Sequence, residues 1–149
     1  MLLFQYYTRE KRGTMKVKEI MRKCRTISGD MSIMEAAQLM NKHHIGSLVV
    51  IDEKENYKEI IAGIITERDI LEKVTAANKL PSKIFVKDVM TKKVITISPD
   101  EYIDDAVYLM IQNKIKKLPV LNDCELVGII TSTDIVANSS EVGEFYMFE

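Results

Sequence analysis

Apolar positions recur at helical spacing at Ile33, Ala36, Ala37 and Met40, and again seventy residues later at Ile103, Ala106, Val107 and Met110. Side chains three and four residues apart share a helix face, so each set predicts an amphipathic helix with one buried stripe. Ser32-Ile33-Met34-Glu35 marks the start of the first helix as a capping box, in which hydroxyl and carboxylate each close on the other residue's backbone N–H. Two aliphatic runs follow each helix: Ser47 to Asp52 with Ile60 to Ile65, and Leu118 to Leu121 with Leu126 to Ile130. Short apolar runs bounded by polar loops predict buried strands. A short extended piece around Thr26 or Thr96 precedes each helix, and a second helix begins at Thr66 or Thr131.

The pattern is a duplication. Val17-Lys18-Glu19-Ile20-Met21 answers to Val86-Lys87-Asp88-Val89-Met90, and Thr26-Ile27-Ser28-Gly29-Asp30 to Thr96-Ile97-Ser98-Pro99-Asp100. Glu35 to Met40 then matches Asp105 to Met110, and Ile45 to Val50 matches Ile115 to Val120. After a shorter loop in the second copy, Gly63-Ile64-Ile65-Thr66-Glu67-Arg68-Asp69-Ile70 matches Gly128-Ile129-Ile130-Thr131-Ser132-Thr133-Asp134-Ile135. Each copy reads as a βαββα unit, and a unit that small cannot cover its own sheet, which predicts two copies packed on each other. The fold class is α/β (α+β). The chain divides into an N-terminal extension 1–14, a first copy 15–75, a linker 76–83 with Asn78 and Pro81 as helix stops, a second copy 84–138 and a tail 139–149.

Composition narrows the function. The 149 residues carry 21 Lys plus Arg against 22 Asp plus Glu, and a net charge of -1 supplies no general field for a nucleic-acid backbone. No apolar run is long enough to cross a bilayer, which makes the cytoplasm the expected compartment. Cys24 and Cys124 lack metal-ligand spacing and read as small buried hydrophobes. His43 and His44 end a helix, where imidazolium suits the last carbonyls. No catalytic triad and no glycine-rich phosphate loop appears. Six of the ten aromatic residues fall in the termini, at Phe4, Tyr6, Tyr7, Phe145, Tyr146 and Phe148, and these basic and acidic tails are expected to pack on each other or on a neighbouring subunit.

The repeated element with chemical content is Gly-Ile-Ile-Thr-x-x-Asp, at the turn from a buried strand into a helix. One reading is purely structural, a Thr N-cap with a carboxylate at the third helical position. The other is a ligand turn. Free N–H groups at a helix start suit an anion, an acceptor-only Asp suits the paired hydroxyls of a ribose, and the Gly admits a ligand or another backbone.

Taken together, the short helix ending in Met, T-I-S-P-D, the E/D-A-x-x-L-M helix, I-x-x-L-P-V and G-I-I-T-x-x-D resemble the CBS domain, and the tandem pair resembles a Bateman module over about Lys16 to Asn138. The resemblance implies two repeats related by pseudo-twofold symmetry, binding AMP, ADP, ATP or S-adenosylmethionine in clefts between them. It implies no catalysis and no catalytic cofactor. One cleft would use Thr66, Arg68 and Asp69 with Val94, Ile95, Lys116 and Lys117 from the second copy, the two lysines facing phosphate. The other would use Thr131, Thr133 and Asp134 with Val17, Ile45, Gly46 and Ser47. Arg68 lies in the first turn of a helix, where the dipole disfavours a cation, so a nearby anion would account for it.

The resemblance further implies a homodimer. The leading expectation is an adenine-nucleotide sensor that controls a partner protein of unknown identity, away from membranes and nucleic acid. The alternative is a structural oligomerisation or docking pair without ligand response. A nucleotide hydrolase using one Asp is a third reading, and it lacks a second carboxylate or metal cluster beside that Asp.

Overall fold

The computed structural model describes residues 15–54 and 58–138, so the expected packing of the two tails lies outside the described residues. In chain order the strands are β1 (Thr26–Ser28), β2 (Ser47–Lys54), β3 (Lys58–Thr66), β4 (Lys117–Asn122) and β5 (Glu125–Thr131). The α-helices are α1 (Ile33–His43), α2 (Glu67–Ile70), α3 (Val86–Val89), α4 (Ile103–Asn113) and α5 (Ser132–Asn138). A π-helical turn, Leu71–Thr75, continues α2, and single 3-10 turns form at Val17–Glu19 and Pro81–Lys83. The mixture of helix and strand is the expected α+β class.

The helices begin and end where local chemistry dictates. Ser32 caps α1 by accepting from the Glu35 N–H at 3.1 Å, while Glu35 accepts from the Ser32 N–H at 2.8 Å. That backbone bond first, and the Ser32 hydroxyl second, hold the Glu35 carboxyl below the usual range. Both long helices stop on a left-handed residue, His44 and Lys114, each with φ of 53°. The following N–H, from Ile45 or Ile115, returns to Met40 O or Met110 O at 3.0 Å. At His43, desolvation foremost, then the electrostatic influence of Arg25, Lys42 and His44, pushes the pKa down.

Among the described residues, one compact unit comprises residues 24–94 with 123–126, and the other comprises residues 15–23, 95–122 and 127–138. In the unit built on residues 24–94, β1 runs parallel to β2, and β2 runs antiparallel to β3 with Ser47 opposite Thr66. Its core joins Ile33, Leu48, Val50 and Ile65 to Val86 and Val89. In the other, Ile97, Leu118, Val120 and Ile130 pack around Val17. The extended piece expected around Thr96 shrinks there to one parallel bridge between Ile97 and Val120.

Duplication and packing therefore divide the chain at different places. The short helical segment that leads each copy in sequence packs in the unit formed by the other copy's sheet. Val17, first in sequence, is fully buried beside the second copy's strands, and Val86 is fully buried beside the first copy's. The same exchange repeats at the surface: Lys18 meets Asp100 at 3.0 Å, and Lys87 meets Asp30 at 2.8 Å.

This exchange explains the glycine of the repeated motif. A Cβ at Gly63 would fall 2.8 Å from Thr91 O, and one at Gly128 would fall 2.8 Å from Arg22 O. Another backbone is what approaches: Thr91 and Ile64 exchange N–H···O bonds at 2.9 and 3.0 Å, as Arg22 and Ile129 do at 2.9 Å each way. The sulfurs of Met90 and Met21 lie against the same two glycines, which accounts for the Met that ends each leading segment.

The cysteines correct an expectation. Cys124 is exposed and Cys24 is half-buried, and neither belongs to a core cluster. Asp123 and Cys124 both take positive φ, 46° and 69°, as the two central residues of a tight turn between β4 and β5. A two-residue hairpin with both central φ positive demands that conformation whatever the side chain's hydrophobicity.

Candidate ligand-binding turns

Both Gly-Ile-Ile-Thr-x-x-Asp segments form the strand-to-helix turn, and both form the capping box. At the first, Asp69 Oδ2 accepts from the Thr66 N–H and the Thr66 hydroxyl, each at 3.0 Å, while Thr66 Oγ1 accepts from the Asp69 N–H at 3.1 Å. At the second, Asp134 Oδ2 accepts from the Thr131 N–H at 3.0 Å and its hydroxyl at 2.8 Å, and Thr131 Oγ1 accepts from the Asp134 N–H at 3.2 Å. The structural reading of the motif is thus realised twice. It leaves one carboxylate oxygen, Oδ1, at each turn.

Each Oδ1 holds a cation from within its own unit. At Asp69 it is Lys73, one helical turn on, at 2.9 Å, and the same ammonium donates to Val89 O at 3.0 Å. At Asp134 it is the Arg22 guanidinium, from the leading segment. Neither cation was among the expected site residues. Lys73 was legible in the sequence as an i,i+4 partner of Asp69, whereas nothing in the local spacing points from Asp134 to Arg22.

Two of the remaining expected groups stand beside the turn of their own copy, where the expected clefts set them against the turn of the other copy. Gly46 O accepts from the Glu67 N–H at 3.0 Å, and Lys116 O accepts from the Ser132 N–H at 2.9 Å. Ile45, Gly46 and Ser47 therefore stand beside Thr66 in one unit, and Lys116 and Lys117 stand beside Thr131 in the other. The first free N–H groups of each helix, expected to await an anion, already have protein acceptors. Arg68 has its anion too: Glu72, on the next turn, accepts from its Nε at 2.5 Å. Val17 is fully buried, and its N–H donates to Glu101 O at 2.9 Å. Val94 and Ile95 are half-buried, and Thr133 is exposed.

A cavity of about 410 Å³ opens in the unit of residues 24–94, between the end of α1 and the β3–α2 turn. Met40, Asn41 and His44 form one wall, and Gly46, Glu67 and Ile70 the other. Its volume suits a small molecule, yet neither Thr66 nor Asp69 lines it. Among the described residues no group of three or more His, Cys, Asp or Glu side chains could hold a metal ion, and no helix is long and apolar enough to cross a membrane.

Two leading segments, two capped Thr-x-x-Asp turns and two small sheets define a tandem-repeat module, and comparison identifies its family. The CBS domain model matches residues 17–76 and again 86–141, and the chain belongs to the CBS domain family. A CBS domain-containing protein of Bacillus subtilis, YhcV, is 32% identical over 113 residues, which are 76% of this chain and 76% of that protein. Among solved structures, the CBS domain pair of protein MJ0100, in complex with 5-methylthioadenosine and S-adenosyl-L-methionine, is 37% identical with a TM-score of 0.71, covering 83% of this chain and 94% of that one. A hexameric CBS-CP12 protein from bloom-forming cyanobacteria is 30% identical with a TM-score of 0.77, over 87% of this chain and 74% of its own. The chain spans about half the length of two other curated relatives, from Methanopyrus kandleri and Arabidopsis thaliana.

Proposed function

We propose that this CBS pair is a non-catalytic, cytoplasmic sensor that binds an adenosyl ligand (AMP, ADP, ATP or S-adenosylmethionine) at its Thr-x-x-Asp turns and, as a homodimer, controls a partner protein. The observation that carries the reading is that both turns keep their Thr and Asp in the same hydrogen-bond geometry, each with one carboxylate oxygen on a side-chain cation. The similar MJ0100 pair, which takes two adenosyl ligands, supports the ligand class. Asp69 and Asp134 take the ribose hydroxyls, and Thr66 and Thr131 the ribose or phosphate. Arg68, Thr133, Val94, Ile95, Ile45, Gly46, Ser47 and Val17 contribute to the surroundings of ligand, and Lys116 and Lys117 favour a di- or triphosphate. For the ligand to act as a signal it must bind one arrangement of the protein better than another.

Calorimetric titration with the four ligands tests this, together with mass analysis of any nucleotide that co-purifies. Binding abolished by the double variant Asp69→Ala with Asp134→Ala is the expected result. No heat and no thermal shift with any of the four would sink the reading.

One observation favours a second reading, a structural docking or oligomerisation pair: every carboxylate oxygen of Asp69 and Asp134 already has a partner inside the protein. A defined oligomer whose melting temperature ignores all four ligands is its expected signature.

A further inference from the structure

The two cations that hold the Thr-x-x-Asp carboxylates are anchored differently. The Asp134 side chain is only 3% exposed, while its partner Arg22 is 68% exposed. A buried carboxylate cannot follow a guanidinium into solvent, but the guanidinium can leave and regain its hydration. Lys73 stands on a second acceptor, Val89 O, and keeps that bond whether or not Asp69 Oδ1 is shared. The copies also differ in residue type at both places. Thr91 occupies in the second leading segment the place Arg22 has in the first, and Asn138 occupies in α5 the place of Lys73. Asn138 turns its amide to Asp134 O at 2.7 Å and leaves Oδ1 to Arg22.

Resting on the reading that these turns accept ribose hydroxyls, we propose that Arg22 makes the Asp134 turn selective for anionic adenosyl ligands. A hydroxyl that takes Asp134 Oδ1 replaces a bond between two charged partners with one in which only the acceptor is charged, and the exchange is unfavourable by itself. A ligand carrying phosphate offsets that loss by receiving the released guanidinium, whose planar fork matches phosphate oxygens in pairs. A neutral adenosyl ligand cannot. The Asp69 turn lacks this coupling because its lysine keeps Val89 O as a fixed acceptor.

The test uses the full chain with Asp69→Ala to silence the first turn, titrated calorimetrically with AMP and with 5-methylthioadenosine as the neutral probe. AMP is expected to bind tighter by about tenfold, with the preference reduced to parity by Arg22→Gln and kept only in part by Arg22→Lys, which retains the charge without the fork. Because Arg22→Gln strands a buried carboxylate, the protein without any change at Arg22 supplies a second readout: the Arg22 Nε–H resonance shifts when AMP saturates the Asp134 turn. Equal affinities for the two probes, a preference that survives Arg22→Gln, or a resonance that AMP leaves unmoved would overturn the role of Arg22 while leaving adenosyl binding intact. Failure of both probes to bind the chain with Asp69 intact would overturn the binding reading and this inference together.

Discussion

The turns at Asp69 and Asp134 have the same cap and nearly the same hydrogen-bond lengths, yet they neutralise the carboxylate by different routes. One uses a lysine four residues further along its own helix, and the other an arginine more than a hundred residues earlier. The cap is the same in both because each joins residues three apart in sequence. The cation was free to change place because only its charge had to reach Oδ1. Local pairing leaves the turn self-contained, whereas distant pairing ties the turn to the leading segment.

Mutation of the two cations separates the two routes. Arg22→Ala leaves a buried carboxylate without its cation and is expected to destabilise the protein by about 3 kcal/mol. Lys73→Ala, at a 45% exposed position, is expected to lose only about 1 kcal/mol. Urea unfolding of the two variants measures the difference, and equal losses would mean that Arg22 contributes no more than a surface pair.

Gly63→Ala and Gly128→Ala probe what the units share. Each new methyl meets a carbonyl oxygen at 2.8 Å, so both should lose about 2 kcal/mol in thermal unfolding. A large asymmetry would show that one leading segment can move aside. His44→Gly and Lys114→Gly should each stabilise by roughly 0.5–1 kcal/mol, since both stand at φ of 53° where glycine carries no Cβ strain. A melting temperature that falls in both variants would contradict that left-handed geometry.

The smallest effects are those of pH. The Lys18 hydrogen bond, then its charge, lowers the pKa of Asp100, so that pair stabilises the fold above the ordinary carboxylate range and is lost as pH falls through the Asp100 value. The hydrogen bond to Asp30, then its charge, raises the pKa of Lys87, so that pair is complete below the ordinary lysine range and is lost as pH rises through the raised value. Melting temperature against pH should therefore flatten on the acid side in Lys18→Met and on the alkaline side in Lys87→Met. Identical profiles for the two variants would remove this distinction.

Much of the fold was legible because its signals are local. The Ser32 cap, the helical spacing from Ile33 to Met40, the strand runs and the Thr-x-x-Asp caps each depend on neighbours within about four residues. Asn78, expected as a helix stop, takes a positive φ of 55°. Other features were less legible. The extended piece at Thr96 and its counterpart at Thr26 read alike, yet one makes a strand and the other a single bridge. The exposure of Cys124 follows from a turn conformation imposed by strand pairing, and side-chain type carries little information about that. At Arg68 the dipole argument correctly demanded an anion, but Glu72 supplies it where a ligand had been expected.

The duplication, the long helix and strand pair of each copy, the family resemblance, and the Thr and Asp that close each turn are all readable along the chain. All of these rest on spacing along the chain or on comparison of one copy with the other. Only the tertiary structure shows which leading segment fills which core, why Gly63 and Gly128 must lack a side chain, and that Arg22 is the cation at Asp134. Those contacts join residues far apart in sequence. Burial of Val17 and Val86 and the pairing of Arg22 with Asp134 are set by closeness in space, and no periodicity in the chain encodes it.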